Sequence, residues 1–357
     1  MMKAYDVERR KPNAVLLGSS RVGWGIDSQD AAWPTQYHPV YNLSVPAGYL
    51  PHSYLYLQHV LSRQHPELVV IGLDFSQFLY KPEPVSAIAP DLKGRLAMTL
   101  GGEPNREQTA QRVRDIFFAA FSLDALIDSS GTVAANWRDI SSDLAEGNWI
   151  HEDNFSSGVG SYALAALFDL SRTLRTEETK EQRRLRDQSS LLRLKMILDL
   201  CASQKIDVVV FLHPLHVDYL EFETRLGFWE PFEHWKRQIL ALTEQYSGPN
   251  QRNEVALWDF SDYNAYSTEE FPVQGKALYW FEPVHYSPAL GHAILTRIFN
   301  GGSDEFGMRL TQRNIDGWLA NIRNQQHRYR QNYETGVRRR FSDLDRLLET
   351  HPPPTQP

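Results

Sequence analysis

Five short runs of apolar residues constrain the fold of this chain more than any other feature: Ala14–Leu17, Val40–Leu43, Leu68–Leu73, Ile206–Leu212 and Val255–Trp258. None alternates cleanly between apolar and polar residues. Continuous apolar strands are those buried on both faces, as in a parallel sheet covered by helices. Between them lie helical patterns such as Ser53–Ser62, with Tyr54, Leu55, Leu57 and Leu61 on one apolar side, and Ser190–Ala202, rich in Leu and Ile. Strand and helix in alternation imply βαβ units and a doubly wound α/β sheet of five parallel strands.

At 357 residues the chain exceeds the roughly 100 to 200 residues of an ordinary domain, so one domain with an insert and two domains are both open. A content of 42% hydrophobic and 23% charged residues belongs to folded globular chains rather than disordered or fibrous ones. Against 44 acidic residues stand 37 basic ones, a formal charge of −7, so no global positive field gathers a phosphate backbone and nucleic acid is excluded as a partner. Cys201, the single cysteine, cannot form an intrachain disulfide and sits in an apolar helical pattern, as a buried structural thiol does. No run reaches the roughly 18 apolar residues of a membrane span, and the polar opening from Met1 to Pro12 lacks a signal-peptide core.

The pattern divides the chain into a discontinuous α/β domain over residues 1–90 and 200–300, a helical insert over 91–199, a helical arm over 301–350 and a disordered Pro-rich tail over 351–357. The arm, Leu310–Thr350, carries scattered apolar residues (Trp318, Leu319, Ile322, Tyr329, Tyr333) and could pack along the domain or reach a partner. Its basic run Arg338–Arg340 reads as a solvated face, or could touch an anionic polymer or lipid.

Two places carry residues suited to chemistry. The first strand ends in Gly18-Ser19-Ser20-Arg21, and in open parallel sheets ligands bind outside the carboxyl ends of strands. Ser20 is therefore placed as a nucleophile, or it is a helix N-cap, for which serine is also favoured. Far along the chain, Glu282-Pro283-Val284-His285 precedes Ser287-Pro288, a good N-cap and first-turn pair for a helix over Pro288–Phe299. His285 suits a general base with Glu282 orienting its ring, or a loop histidine bonded for structure.

Other candidates are weaker. His213 and His216 in His213-Pro214-Leu215-His216 follow the fourth strand and reach the same sheet edge; substrate contact suits them better than metal binding, since no further ligands stand beside them, or they are plain loop histidines. Arg21 could hold a substrate carboxylate or phosphate, or form a salt bridge to a neighbouring helix or to Asp27. The glycines Gly18, Gly23 and Gly25 lack the spacing of a nucleotide loop. Trp33, Trp137, Trp149, Trp229 and Trp280 fall in loops, where they suit a carbohydrate groove or ordinary packing. No metal or cofactor is expected.

Together, Gly18-Ser19-Ser20-Arg21 and Glu282-Pro283-Val284-His285 resemble the first and last blocks of the SGNH (GDSL-like) hydrolase and acyltransferase superfamily. Asn42 to Gly48 looks like its glycine block, and Gly72-Leu73-Asp74-Phe75 falls where that superfamily has Gly-x-Asn-Asp. These segments with Trp258-Asp259-Phe260 and Tyr279 to Pro288 further resemble uncharacterised proteobacterial, membrane-anchored members. The resemblance implies a flavodoxin-like three-layer sandwich and a Ser20–His285–Glu282 triad. It also implies an oxyanion hole from the N–H groups of Ser20 and Gly48 with position 74. Asp74 stands there in place of Asn, and a carboxylate repels an oxyanion unless it is protonated, turned away or bound to something else. The implied activity is a serine esterase or O-acyltransferase working on acyl, chiefly acetyl, esters of an envelope or exopolysaccharide glycan. The alternative is a non-catalytic binding protein of a polysaccharide synthesis or secretion system. The implied setting is periplasmic, with a membrane anchor outside this chain.

Overall fold

The computed structural model describes residues 3–46, 48, 50–79, 90–99, 101–121, 180–248, 253–272, 275–302 and 305–350. Much of the expected insert, with Trp137 and Trp149, lies outside them, as do the 351–357 tail and the side chains of Arg338–Arg340.

All five apolar runs form strands: β1 (Ala14–Leu17), β2 (Val40–Asn42), β3 (Leu68–Leu73), β4 (Asp207–Leu212) and β5 (Val255–Asp259). They lie in the order β2-β1-β3-β4-β5, every neighbouring pair parallel. The sheet is nevertheless mixed and six-stranded, not five-stranded, because β6 (Met308–Arg309) pairs antiparallel with β5. Two residues have no periodicity of their own, so the sequence pattern does not disclose this edge.

Residues along each strand divide between two cores. Val15, Leu17, Val69, Ile71, Val208 and Val210 face one, with apolar residues from α1 (Lys3–Arg10), α3 (Leu50–Leu61) and α7 (Lys180–Gln204). Ala14, Leu16, Leu68, Val70, Val209 and Phe211 face the other, with Val22 of α2 (Ser20–Gly25) and Leu290, Ile294 and Leu295 of α10 (Pro288–Asn300). Helices therefore cover both faces, and each buried aliphatic side chain contributes about 1.5 to 3 kcal/mol. Cys201 of α7 is fully buried and burial pushes its thiol up to about 12. Because α7 packs into this core, the helix before β4 belongs to the sheet and not to the insert. Short α4 (Ser76–Leu79) follows β3, and the described start of the insert is helical, with α5 (Pro90–Arg95) and α6 (Gln108–Phe121).

After β4 come α8 (Val217–Arg225) and α9 (Trp229–Thr243), whose apolar faces join the first core. The C-terminal helix α11 (Ile315–Thr350) packs along the domain through Ile315, Trp318, Leu319, Ile322 and Tyr329. Among the described residues no helix is long and apolar enough to cross a membrane.

The chain runs from β1 to β2 on one side and then to β3 on the other, so the direction of winding reverses between β1 and β3. Crevices at such switch points lie outside the carboxyl ends of the strands. Ser20 follows β1, Asp74 follows β3 and His213 follows β4 at this edge.

Candidate active site

Gly18 ends β1 at φ 153°, and a Cβ there would lie 2.4 Å from Val22 Cγ2, so the turn that lifts the chain out of the sheet requires glycine. Ser19, not Ser20, is the N-cap: its Oγ accepts the Arg21 N–H at 3.3 Å. That leaves the Ser20 hydroxyl for another partner. Ser20 Oγ lies 2.7 Å from His285 Nε2 across 265 residues of sequence, a normal hydrogen bond. His285 Nδ1 is in turn hydrogen-bonded to Glu282 Oε1.

His285 and Glu282 are presented by a closed hairpin. Trp280 and Tyr286 bridge antiparallel, Ser287 N–H donates to the Tyr279 carbonyl at 2.8 Å, and Trp280 Nε1 donates to the Tyr266 carbonyl at 2.8 Å. At its tip Glu282 also accepts the N–H groups of Val284 and His285, both at 2.8 Å, so the carboxylate that orients the imidazole also fixes the loop. Ser287 occupies the N-cap of α10, but its hydroxyl donates to the Leu278 carbonyl at 2.6 Å instead of capping. The side chains of His285 and Glu282 remain 28% and 17% exposed, so a ligand can reach them from solvent. Trp24 stands beside them, its ring 5.9 Å from that of His285.

Beneath Ser20 lies a buried polar cluster. Arg21 Nη1 is 2.8 Å from Asp74 Oδ1, with both side chains almost wholly buried, and the guanidinium lies over the Tyr219 ring. Burial works against the Asp74 carboxylate, but the Arg21 charge, with a hydrogen bond from Ser19, brings its pKa below the ordinary value. Asp74 is therefore an acceptor and not the neutral donor that an oxyanion requires. Burial likewise opposes the Arg21 charge, and the Asp74 carboxylate beside it restores it. Arg21 is thus committed to Asp74, neither turned to a substrate nor paired with Asp27.

His213 and His216 are both buried, which removes them as direct substrate contacts. Burial pushes His213 down to about 4, so at neutral pH it is uncharged and its 4.0 Å approach to Asp74 is not an ion pair. Its Nδ1 hydrogen-bonds the Tyr286 hydroxyl at 3.1 Å, while Nε2 and Asp74 Oδ2 lack hydrogen-bond partners. Gly72 makes room for this ring, since a Cβ there would fall 2.6 Å from His213 Cε1. His216 is the N-cap of α8 through Nδ1, and its Nε2 bonds the Glu269 carbonyl at 2.8 Å. The Gly48 N–H donates to the Val45 carbonyl at 2.8 Å, so the second expected oxyanion donor is already engaged. Trp33 and Trp280 are buried in the core and form no groove.

Three residues of the cluster were not apparent from sequence. Tyr219 and Glu223 come from α8, and Tyr286 directly follows His285. Glu223 is pushed up to about 8 by burial, against pulls from Arg21 and Tyr219, and so carries a proton at neutral pH. The signal that could have found it is a carboxylate on the apolar side of the helix after β4. No protein-family model matches the chain, and no curated protein matches it in sequence.

Proposed function

We propose that this chain is a Ser-His-Glu esterase or O-acyltransferase of SGNH-like type, acting on acyl, chiefly acetyl, esters of a cell-envelope or exopolysaccharide glycan. One observation carries the reading: a serine hydroxyl 2.7 Å from an imidazole whose other nitrogen is held by a carboxylate, all partly open to solvent. A hydroxyl bonded to an oriented base is an activated nucleophile. The strand order β2-β1-β3-β4-β5 agrees with a flavodoxin-like arrangement, and the separation of Ser20 and His285 in sequence agrees with the order of the superfamily's blocks.

In this scheme His285 Nε2 takes the proton as Ser20 Oγ bonds to the acyl carbon. Glu282 stabilises the imidazolium, and the Ser20 backbone N–H faces the oxyanion. Collapse breaks the ester bond, and the leaving sugar oxygen takes the proton from His285. Water or a second sugar hydroxyl then attacks the acyl-serine by the reverse route, giving hydrolysis or transfer. A periplasmic setting, with the chain carried by a membrane anchor, belongs to the same proposal.

A second reading, a non-catalytic binding or assembly protein of a polysaccharide synthesis or secretion system, draws on a different observation. With Asp74 ionised against Arg21 and the Gly48 N–H bonded to Val45, two expected oxyanion donors are engaged elsewhere. Labelling with a fluorophosphonate, read by intact mass, separates the two. A single adduct that disappears in Ser20→Ala and falls sharply in His285→Ala is the catalytic outcome. A folded protein that takes no adduct favours the binding role.

A further inference from the structure

A cavity of about 590 Å³ opens between the segment after β5 and the first turns of α11. Its size suits a small-molecule site. The walls are aromatic and fixed. The Tyr266 and Tyr279 rings meet edge-on at 4.7 Å, and Trp318 is held by its Nε1, which donates to Asp259 Oδ2 at 2.9 Å.

The polar groups are of both kinds. Asp262 Oδ1 accepts the Asn264 amide at 2.8 Å, and Oδ2 accepts the Gln325 amide at 3.2 Å. Gln325 Oε1 is buried without a hydrogen-bond partner, and Asn321 is exposed on the α11 side. None of the lining side chains among the described residues is a lysine or arginine, which argues against an anionic ligand. Burial, with Asp259 nearby, pushes Asp262 up to about 7 against the pull of its amide partners, and Glu305 adds a second carboxyl group to the lining, so a cation is the rival occupant that the test must include. Carboxyl, amide and phenol groups together suit hydroxyls, which both donate and accept. The flat rings offer apolar faces for a sugar ring.

We infer that this cavity is a saccharide-binding site, separate from the Ser20 site, that grips a neutral sugar unit of a longer glycan. The inference rests on the glycan part of the proposed function and not on catalysis at Ser20. The two sites share the carboxyl edge of the sheet. Three inter-strand steps from β1 to β5 separate their strands by about 14 Å. Tyr279 stands at the base of the hairpin that carries Glu282 and His285.

The test is saturation-transfer NMR on the full chain with cellotetraose, chitotetraose and mannotetraose, and with choline as the cationic rival. At least one tetrasaccharide is expected to bind at millimolar concentration or below. Asn321→Trp, which fills the mouth from an exposed helix position, and Tyr266→Ala are each expected to weaken it about tenfold, with Asn321→Trp melting as the parent does. No transfer to any tetrasaccharide, binding that survives both substitutions, or binding of choline alone overturns the inference. Fluorophosphonate labelling run alongside keeps the two claims apart. Lost labelling with binding intact counts against catalysis only, and labelling with no binding counts against this site only.

Discussion

Ser20, Glu282 and His285 are held by local devices that differ in kind. Ser19 takes the capping role and leaves Ser20 free, while Glu282 closes its own loop with two backbone N–H groups and still reaches the imidazole. On the proposed mechanism, Glu282→Gln loses the acceptor that selects the His285 tautomer, so hydrolysis of p-nitrophenyl acetate is expected to fall by on the order of 10³-fold. Unchanged turnover would mean that the ester chemistry resides elsewhere. The Arg21–Asp74 pair yields a second expectation. Asp74→Ala strands a buried guanidinium and should cost about 3 to 5 kcal/mol in urea unfolding, whereas Arg21→Met with Asp74→Leu should recover most of it. Equal losses in both variants would show that the pair's charge is not what matters. Glu223 gives a pH dependence. The folded chain keeps its proton up to about 8 and the unfolded chain releases it near 4.5, so the folded state binds more protons between them. Stability is therefore lost as pH rises through that window. Glu223→Gln should remove a loss on the order of a few kcal/mol at pH 9 and change little at pH 4. A parallel pH profile in the two proteins would refute the burial argument. His213 acts in the opposite sense, its contribution fading as pH falls from 6.5 toward about 4.

Among the elements, α11 shows how a strongly charged helix is made part of a core. Ile315, Trp318, Leu319 and Ile322 recur at helical spacing on one side, and Arg330 reaches Glu221 of α8 at 3.0 Å. Lys236 of α9, Asp259 of β5 and Trp318 of α11 meet in one buried contact, with the ammonium 2.8 Å from the carboxylate. Trp318→Ala should cost about 3 to 5 kcal/mol in denaturant unfolding. Tyr333→Ala, at a residue 47% exposed where the helix departs from regular geometry, should cost less than about 1 kcal/mol. Similar losses at both positions would mean that the helix contributes along its length and not through one face. The apolar spacing was legible in the sequence, but which charged residues would be buried was not, because Lys236 and Asp259 find each other only after β5 is laid beside β4.

At the scale of the molecule, one sheet divides two cores, and its central strands are flanked on every side while β6 has a single neighbour. Amides of β3 and β4 should therefore exchange with solvent most slowly and those of β6 first, measured by hydrogen exchange. Equal protection would mean that the edge is covered by something more than β5. The sequence by itself determined the five buried strands, since continuous apolar runs have few other uses, and it marked Ser20, Glu282 and His285, since turn and capping chemistry is written within a few residues. Arg21, His213 and His216 read in the sequence as substrate contacts, but their burial depends on neighbours far away in the chain, whereas the Gly48 N–H is taken by Val45 only three residues before it. Arg21 meets Asp74 only because β1 lies beside β3, and that contact turns a possible substrate anchor into a buried ion pair. Periodicity and turns are local properties of a chain, whereas burial and charge pairing are properties of distant segments brought together, and only the tertiary structure fixes those.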